Sequence, residues 1–184
     1  MKIWLIQEDV NLYEHVTLVD ADNEKWIEFG SKFVGKSIKD DWTPLKIKLI
    51  EHGGKLKKGD IPYLSPGVPI FSKKAINILN EYLSKNTEIL PIDFSGDDYR
   101  LINVINLLDG IDYKKAVIEY YSDKKRIMAF DKYAFILGKV ENQHIFKIVE
   151  QPRADVFVSD EFRNKVIESG LEGFKFVEVW DSEA

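Results

Sequence analysis

The chain has 184 residues, no cysteine and a formal net charge of −5. This length is typical of one domain, the lack of cysteine excludes a disulfide scaffold and a Cys-ligated zinc site, and no apolar run is long enough for a transmembrane helix. Residues 93–184 hold 13 Lys and Arg against 18 Asp and Glu, so the excess negative charge lies in the second half and argues against a nucleic-acid partner.

Apolar residues in the first half of the chain predict short strands, either as buried runs or in alternation with polar residues. These strands cover residues 2–7, 16–19, 25–29 and 45–49. Ser72 is a good N-cap, and the apolar residues after it repeat with the spacing of one buried helix face, which predicts a helix over about 73–85. In this helix we expect Ile76, Leu79 and Leu83 to be buried against a sheet.

The middle of the chain is again strand-like. Residues 88–94 are apolar around Pro91, which indicates an edge strand or an extended entry to a loop. Residues 99–108 fit the helical period as well as they fit a buried strand, and this ambiguity stays open. An antiparallel meander with short polar turns is predicted for residues 116–121, 127–137 and 144–149.

Near the C terminus, residues 156–158 predict a short strand that leads to Ser159, the expected N-cap of a second helix over about 160–169. Residues 174–180 alternate between apolar and polar and predict a last strand. Together the elements predict the α+β fold class, with antiparallel sheets and two principal helices, in one domain over 1–184. If this domain has two lobes, we expect the division near 90–98.

The sequence contains no complete catalytic or metal-binding motif. Its three histidines, His15, His52 and His144, lie far apart and show no His-x-x-x-His spacing. We therefore expect no catalytic residue, no metal ligand and no cofactor.

The densest group of carboxylates consists of Asp93, Asp97, Asp98, Asp109 and Asp112. The first three could form the paired carboxylates of a small hydrolase. Alternatively, all five could be turn-forming residues beside two glycines. A third interpretation, an acidic face that binds a basic protein partner, fits the charge asymmetry. We adopt the third and expect these five aspartates to contact the partner.

Several short segments, taken in their order along the chain, resemble one bacterial protein family. They are residues 69–75, 88–92, 103–104, 145–148, 156–160 and 173–176, together with Trp4, Tyr99, Asp109 and Trp180. The sequence thereby resembles immunity family eleven of polymorphic toxin systems, formerly described as a domain of unknown function. The resemblance spans nearly the full chain, and its motifs are mostly apolar and turn residues, so it bears on the fold more than on a mechanism.

The resemblance implies a cytoplasmic bacterial immunity protein that binds and neutralises a cognate toxin by occlusion, without catalysis. The toxin is expected to be encoded by the adjacent gene, and neither nucleic acid nor a membrane is an expected partner. The alternatives are a small carboxylate-dependent hydrolase and an interaction module unrelated to toxins. A concave pocket with two facing carboxylates would favour the hydrolase, whereas a flat or convex acidic surface would favour binding.

Overall fold

A computed structural model of the chain describes residues 1–50, 56–94 and 98–184. Over these residues the fold is α+β, as predicted, with four helices and twelve strands. The helices are α1 (Asn23–Lys32), α2 (Lys73–Leu83), α3 (Leu137–Val140) and α4 (Asp160–Glu168). The strands are β1 (Lys2–Glu8), β2 (Val16–Leu18), β3 (Leu45–Leu49), β4 (Ile70–Ser72), β5 (Thr87–Asp93), β6 (Tyr99–Val104), β7 (Leu107–Leu108), β8 (Val117–Tyr120), β9 (Ile127–Lys132), β10 (Ile145–Ile148), β11 (Phe157–Ser159) and β12 (Phe174–Asp181). None of the helices in the described ranges is long and apolar enough to cross a membrane.

The strands form two five-stranded sheets and one separate hairpin. The first sheet has the order β12-β1-β11-β10-β7, the second has the order β2-β3-β5-β6-β4, and β8 pairs with β9 alone. Strand β1 lies between β11 and β12 and is antiparallel to both, so the first sheet joins the two ends of the chain. Only the pairs β7–β10 and β3–β5 are parallel within the described residues. The division into two lobes near 90–98 stays a prediction.

The two principal helices begin at the serines that the sequence indicates. The hydroxyl of Ser72 accepts a hydrogen bond from the amide of Ala75, and that of Ser159 accepts one from the amide of Phe162, so each serine satisfies a helix-end donor. The buried face of α2 includes Leu79 and Leu83, both fully buried, whereas Ile76 is only partly buried, against the prediction. This face packs into a core that also receives Phe162 and Val166 of α4 and residues of both sheets.

The prediction of a strand over 25–29 is wrong, because these residues lie in α1. Asp22 caps this helix by accepting a hydrogen bond from the amide of Lys25. Trp26 and Phe29 lie three residues apart, on the side of the helix that packs into a core cluster of the second sheet. Ile27, which a strand would place on the same face as Phe29, is 71% exposed. An alternation of only five residues also fits one helical turn. The cap at Asp22 then favours the helix over the strand.

The prediction of an edge strand over 88–94 is also wrong, since β5 lies between β3 and β6. However, β3 pairs with β5 only at Ile92 and Asp93. The described part of β5 up to Pro91 therefore has a strand neighbour on one side only, and a proline is tolerated there. The ambiguous segment 99–108 forms two strands, β6 and β7, which belong to different sheets.

The predicted meander is correct for its first two strands and wrong for its third. Strands β8 and β9 form an antiparallel hairpin, whereas β10 pairs with β11 and β7. All four residues of β10 are buried, while most residues of β8 and β9 are exposed. A strand that is buried on both faces belongs in the interior of a sheet, which the hairpin does not provide. The strand predicted to reach residue 137 ends at Lys132.

Candidate functional site

Asp98, one of the predicted binding residues, is neutralised by its neighbours. Its carboxylate lies 3.0 Å from Lys73 Nζ and 2.8 Å from Arg100 Nη1. The hydrogen bond from Lys73, helped by the charge of Arg100, holds the pKa of Asp98 below its ordinary value. A general acid in a carboxylate pair needs the opposite shift. Asp98 thus stays ionised and carries little uncompensated charge toward a partner.

Asp98 borders a polar cleft of about 400 Å³ beside the start of α2. A second aspartate of this cleft, Asp60, accepts hydrogen bonds from the Ser72 hydroxyl at 2.6 Å and from the amide of Glu172 at 2.9 Å, and its carboxylate lies 3.4 Å from Lys74 Nζ. These bonds fasten the loop before β4 and the loop before β12 to the start of the helix. The polar groups of Asp60 are therefore engaged in holding the fold together.

The other predicted aspartates lie in different surroundings. Asp93 is exposed at the end of β5, on the same connection between strands as Asp98. Asp109 is exposed directly after β7 of the first sheet, and Asp112 accepts a hydrogen bond from the amide of Lys114 at 3.0 Å. Asp97 lies outside the described residues. Within the described ranges no hydrogen bond or ion pair links Asp93 or Asp98 to Asp109 or Asp112. That these aspartates form a single acidic face therefore stays a prediction.

Two carboxyl groups that the sequence did not single out, Glu8 and Asp155, line a cavity of about 310 Å³ together with Tyr63 and Lys175. Burial raises the pKa of Glu8 to about 7 and also raises the pKa of Asp155. No group of three or more His, Asp or Glu side chains in the described part of the chain could hold a metal ion.

A lysine is buried close to Asp155. Lys147 is fully buried in β10, and its ammonium donates hydrogen bonds to the carbonyl oxygens of Phe33 at 3.2 Å and Pro152 at 3.0 Å. Burial lowers the pKa of Lys147 to about 8, against the opposing effect of the Asp155 charge. The hydroxyl of Tyr133 donates to Asp155 at 3.4 Å. This polar cluster lies inside the protein and joins the first sheet to the end of α1.

Several exposed apolar side chains lie together in one unit, residues 113–132, which we call the aromatic hairpin. Large apolar side chains are exposed on it, namely Tyr113, Val117, Tyr120, Tyr121 and Met128. An isolated two-stranded hairpin is at best marginally stable in water. Exposed apolar patches on a soluble protein mark contact surfaces, and tyrosine is enriched among the residues that contribute most to binding.

The aromatic hairpin is basic although the whole chain is acidic. It holds six Lys and Arg against three Asp and Glu, in a chain of net charge −5. Asp123 pairs with Arg126 at 2.6 Å, and the Arg126 guanidinium lies 5.0 Å from the centroid of the Tyr121 ring. The five lysines of the hairpin are exposed, and none forms an ion pair with a described residue. The hairpin therefore presents positive charge between its aromatic side chains.

The base of the hairpin is fastened to the rest of the protein. The amide of Asp112 donates to the carbonyl of Ala134 at 2.8 Å. Asp112 precedes β8 and Ala134 follows β9, so this bond extends the pairing of the two strands at the end away from the tip. The rings of Phe130 and Tyr133 stack with centroids 4.6 Å apart, and both pack against the core of the first sheet. The residues of the tip, 121–126, are all exposed. One end of the hairpin is thus anchored while its tip faces solvent.

Sequence reasoning found the strands of this hairpin but not its role as a surface. The pattern in 116–121 and 127–137 predicts two strands of an antiparallel meander and says nothing about an exposed apolar surface. A signal was present, since Tyr120, Tyr121 and Met128 flank the charged turn 122–126 too closely for all of them to point toward one core. The charge count also covers each half of the chain as a whole, so it does not show that lysines are concentrated in residues 113–132.

Comparison with known protein families finds a match that covers most of the second half of the chain. A family model described as an immunity protein family (Imm11) matches residues 86–181, just over half of the chain and all of the aromatic hairpin. Trp4 and residues 69–75, which contributed to the resemblance seen in the sequence, lie outside the matched range. No curated protein matches the chain at a significant level.

Proposed function

Because the chain belongs to the Imm11 immunity protein family, we propose that it binds a cognate bacterial toxin and neutralises it by occlusion. The family match over residues 86–181 is the observation that carries this proposal. The toxin is encoded by the adjacent gene, and the two proteins meet in the cytoplasm. Inhibition requires a stable complex that covers the active site of the toxin or an essential surface of it.

Two observations support binding over chemistry. Asp98, which a hydrolase based on Asp93, Asp97 and Asp98 would need, is ionised and paired with Lys73 and Arg100. By contrast, the aromatic hairpin lies entirely within the range matched by the family model and exposes the side chains that protein interfaces favour.

The experiment that tests this proposal is rescue combined with co-purification. The adjacent gene is expressed in a sensitive bacterial strain with and without this chain, and a tagged version of the chain is used to recover the gene product. We expect growth only when both are expressed, with the two proteins eluting together. Growth arrest in both strains, or elution of the chain alone, would contradict the proposal.

The same strains separate occlusion from the hydrolase alternative. Asp93→Asn and Asp98→Asn, made together, remove two of the three carboxylates that a hydrolase would use and leave the size of both side chains almost unchanged. Occlusion predicts that this variant still protects the cells after induction of the toxin to a high level. Loss of protection by a variant that still binds the toxin would favour the hydrolase.

A further inference from the structure

We propose that the aromatic hairpin is the surface that contacts the toxin and that it docks on an acidic surface of that toxin. This inference rests on the proposed function and adds to it the contact element and the charge of the partner. It departs from the expectation that acidic residues of this chain meet a basic toxin.

The first support is the type of residue that the hairpin exposes. Tyr113 is 56% exposed, and Tyr120, Tyr121 and Val117 are each more than two fifths exposed. Strands β8 and β9 pair with no further strand in the described residues, so both edges of the hairpin also lack a strand neighbour there. Tyrosine gives a large contact area at a low cost in side-chain entropy, which is why it is common at the centre of interfaces.

The second support is charge. The lysines of the hairpin (Lys114, Lys115, Lys124, Lys125 and Lys132) are exposed and form no ion pair with a described residue. The chain as a whole is negative, so this positive element is the part of the second half that an acidic partner would approach without repulsion. Opposite charge on the partner would both speed the encounter and orient it.

The third support is that the hairpin is held in place before binding. Tyr113 Oη donates to Glu150 Oε1 at 2.6 Å, and the side-chain amide of Gln151 donates to the carbonyl of Met128 at 3.4 Å. These bonds attach both sides of the hairpin to the connection that follows β10. A contact element that is already ordered loses less conformational entropy on binding.

Positive charge beside aromatic rings also suits single-stranded nucleic acid. The net charge of −5 weakens that alternative, because the chain as a whole repels a negatively charged phosphate backbone. The observations favour a protein with an acidic docking surface, and nucleic-acid binding is one outcome of the test.

The test measures association between the purified chain and the product of the adjacent gene at two salt concentrations. The charge variant is Lys124→Glu with Lys125→Glu at the exposed tip. Its matched control is Lys46→Glu with Lys48→Glu, which makes the same change in net charge at two exposed lysines of β3. A second variant, Tyr120→Ser with Tyr121→Ser, removes the aromatic rings and keeps the charge.

We expect the tip charge variant to associate about tenfold more slowly and with a weaker dependence on salt, while the control changes the rate by no more than about twofold. The tyrosine variant should dissociate faster. Circular dichroism shows whether each variant is folded; because every substituted residue is exposed, we expect all three to fold.

The outcomes are separable. If the wild-type chain fails to bind the gene product, the proposed function is overturned and this inference with it. If the wild type binds and both hairpin variants bind equally well, the hairpin is not the contact surface, although the proposed function stands. If the wild type shifts a single-stranded oligonucleotide and the hairpin variants do not, the partner assigned to this surface is wrong.

Discussion

The hydroxyl of Tyr113 donates a 2.6 Å hydrogen bond to the carboxylate of Glu150, a residue that lies 37 positions further along the chain. This bond raises the pKa of Tyr113 to about 12, so the phenol keeps its proton at neutral pH and remains a donor. The second oxygen of Glu150, Oε2, is buried and has no hydrogen-bond partner among the described residues. The Tyr113 bond is therefore the polar contact that joins this carboxylate to the aromatic hairpin.

Tyr113→Phe should loosen the hairpin without unfolding the protein. The variant loses one hydrogen bond to a carboxylate, which should lower the free energy of unfolding by about 1 kcal/mol. Hydrogen exchange should become faster at the amides of β8 and β9 and stay unchanged in β10. Tyr121→Phe is the control, since no hydrogen bond of its hydroxyl is found among the described residues. Equal exchange rates in both variants would show that the bond does not anchor the hairpin.

Leu79→Ala should strongly destabilise the fold. Leu79 is fully buried on α2, and its truncation leaves a cavity that costs about 2–5 kcal/mol in the free energy of unfolding. Asn77→Ala, at an exposed position of the same helix, should change this free energy by less than about 0.5 kcal/mol. Chemical denaturation of both variants measures the difference. If Leu79→Ala lowered the free energy of unfolding by no more than Asn77→Ala does, α2 would not pack against the sheets as described.

Glu8→Gln should change how stability depends on pH. The pKa of Glu8 is raised from 4.5 to about 7 by burial, so the folded state binds more protons than the unfolded state between these values. The stabilisation from Glu8 is thus complete below pH 4.5 and is lost as pH rises through about 7. The free energy of unfolding of the wild type should fall over this window relative to Glu8→Gln. Glu141→Gln, at an exposed position, should follow the wild type.

Lys147→Met should remove a dependence on pH of the opposite sign. Burial lowers the pKa of Lys147 from 10.5 to about 8, so the unfolded state binds more protons between these values. The free energy of unfolding of the wild type should therefore rise as pH increases from about 8 toward 10.5. Urea denaturation at several pH values should show this slope in the wild type and in the control Lys48→Met. A slope that persists in Lys147→Met would assign it to another group.

Features of the fold that depend on nearby residues could be predicted from the sequence. Ser72 and Ser159 each accept a hydrogen bond from the amide three residues later, so the starts of α2 and α4 are determined locally. The α1 helix was not predicted, although Asp22 provides the same type of cap, because the alternation over residues 25–29 fits a strand as well as it fits one helical turn. A helical period needs more residues to become distinct than a strand period does.

Features that depend on distant residues could not be predicted. The position of β10 between β7 and β11 follows from its burial on both faces, and the sequence does not say which strands will surround it. The same holds for the aspartates. Lys73 neutralises Asp98 from 25 residues away, whereas a count of charges along the chain treats Asp98 as free. The count of charged residues also assigns an excess of Asp and Glu to residues 93–184 as a whole, although the basic hairpin lies within this range.

The most direct test of the account is a titration of the toxin's own activity with the purified chain. If the chain acts by occlusion, activity should fall in proportion to the chain added and reach its minimum at a fixed stoichiometric ratio. Toxin recovered after dissociation should have unchanged mass and full activity. Inactivation by a small fraction of an equivalent, or recovered toxin that is altered in mass, would contradict occlusion and would indicate that the chain acts by catalysis.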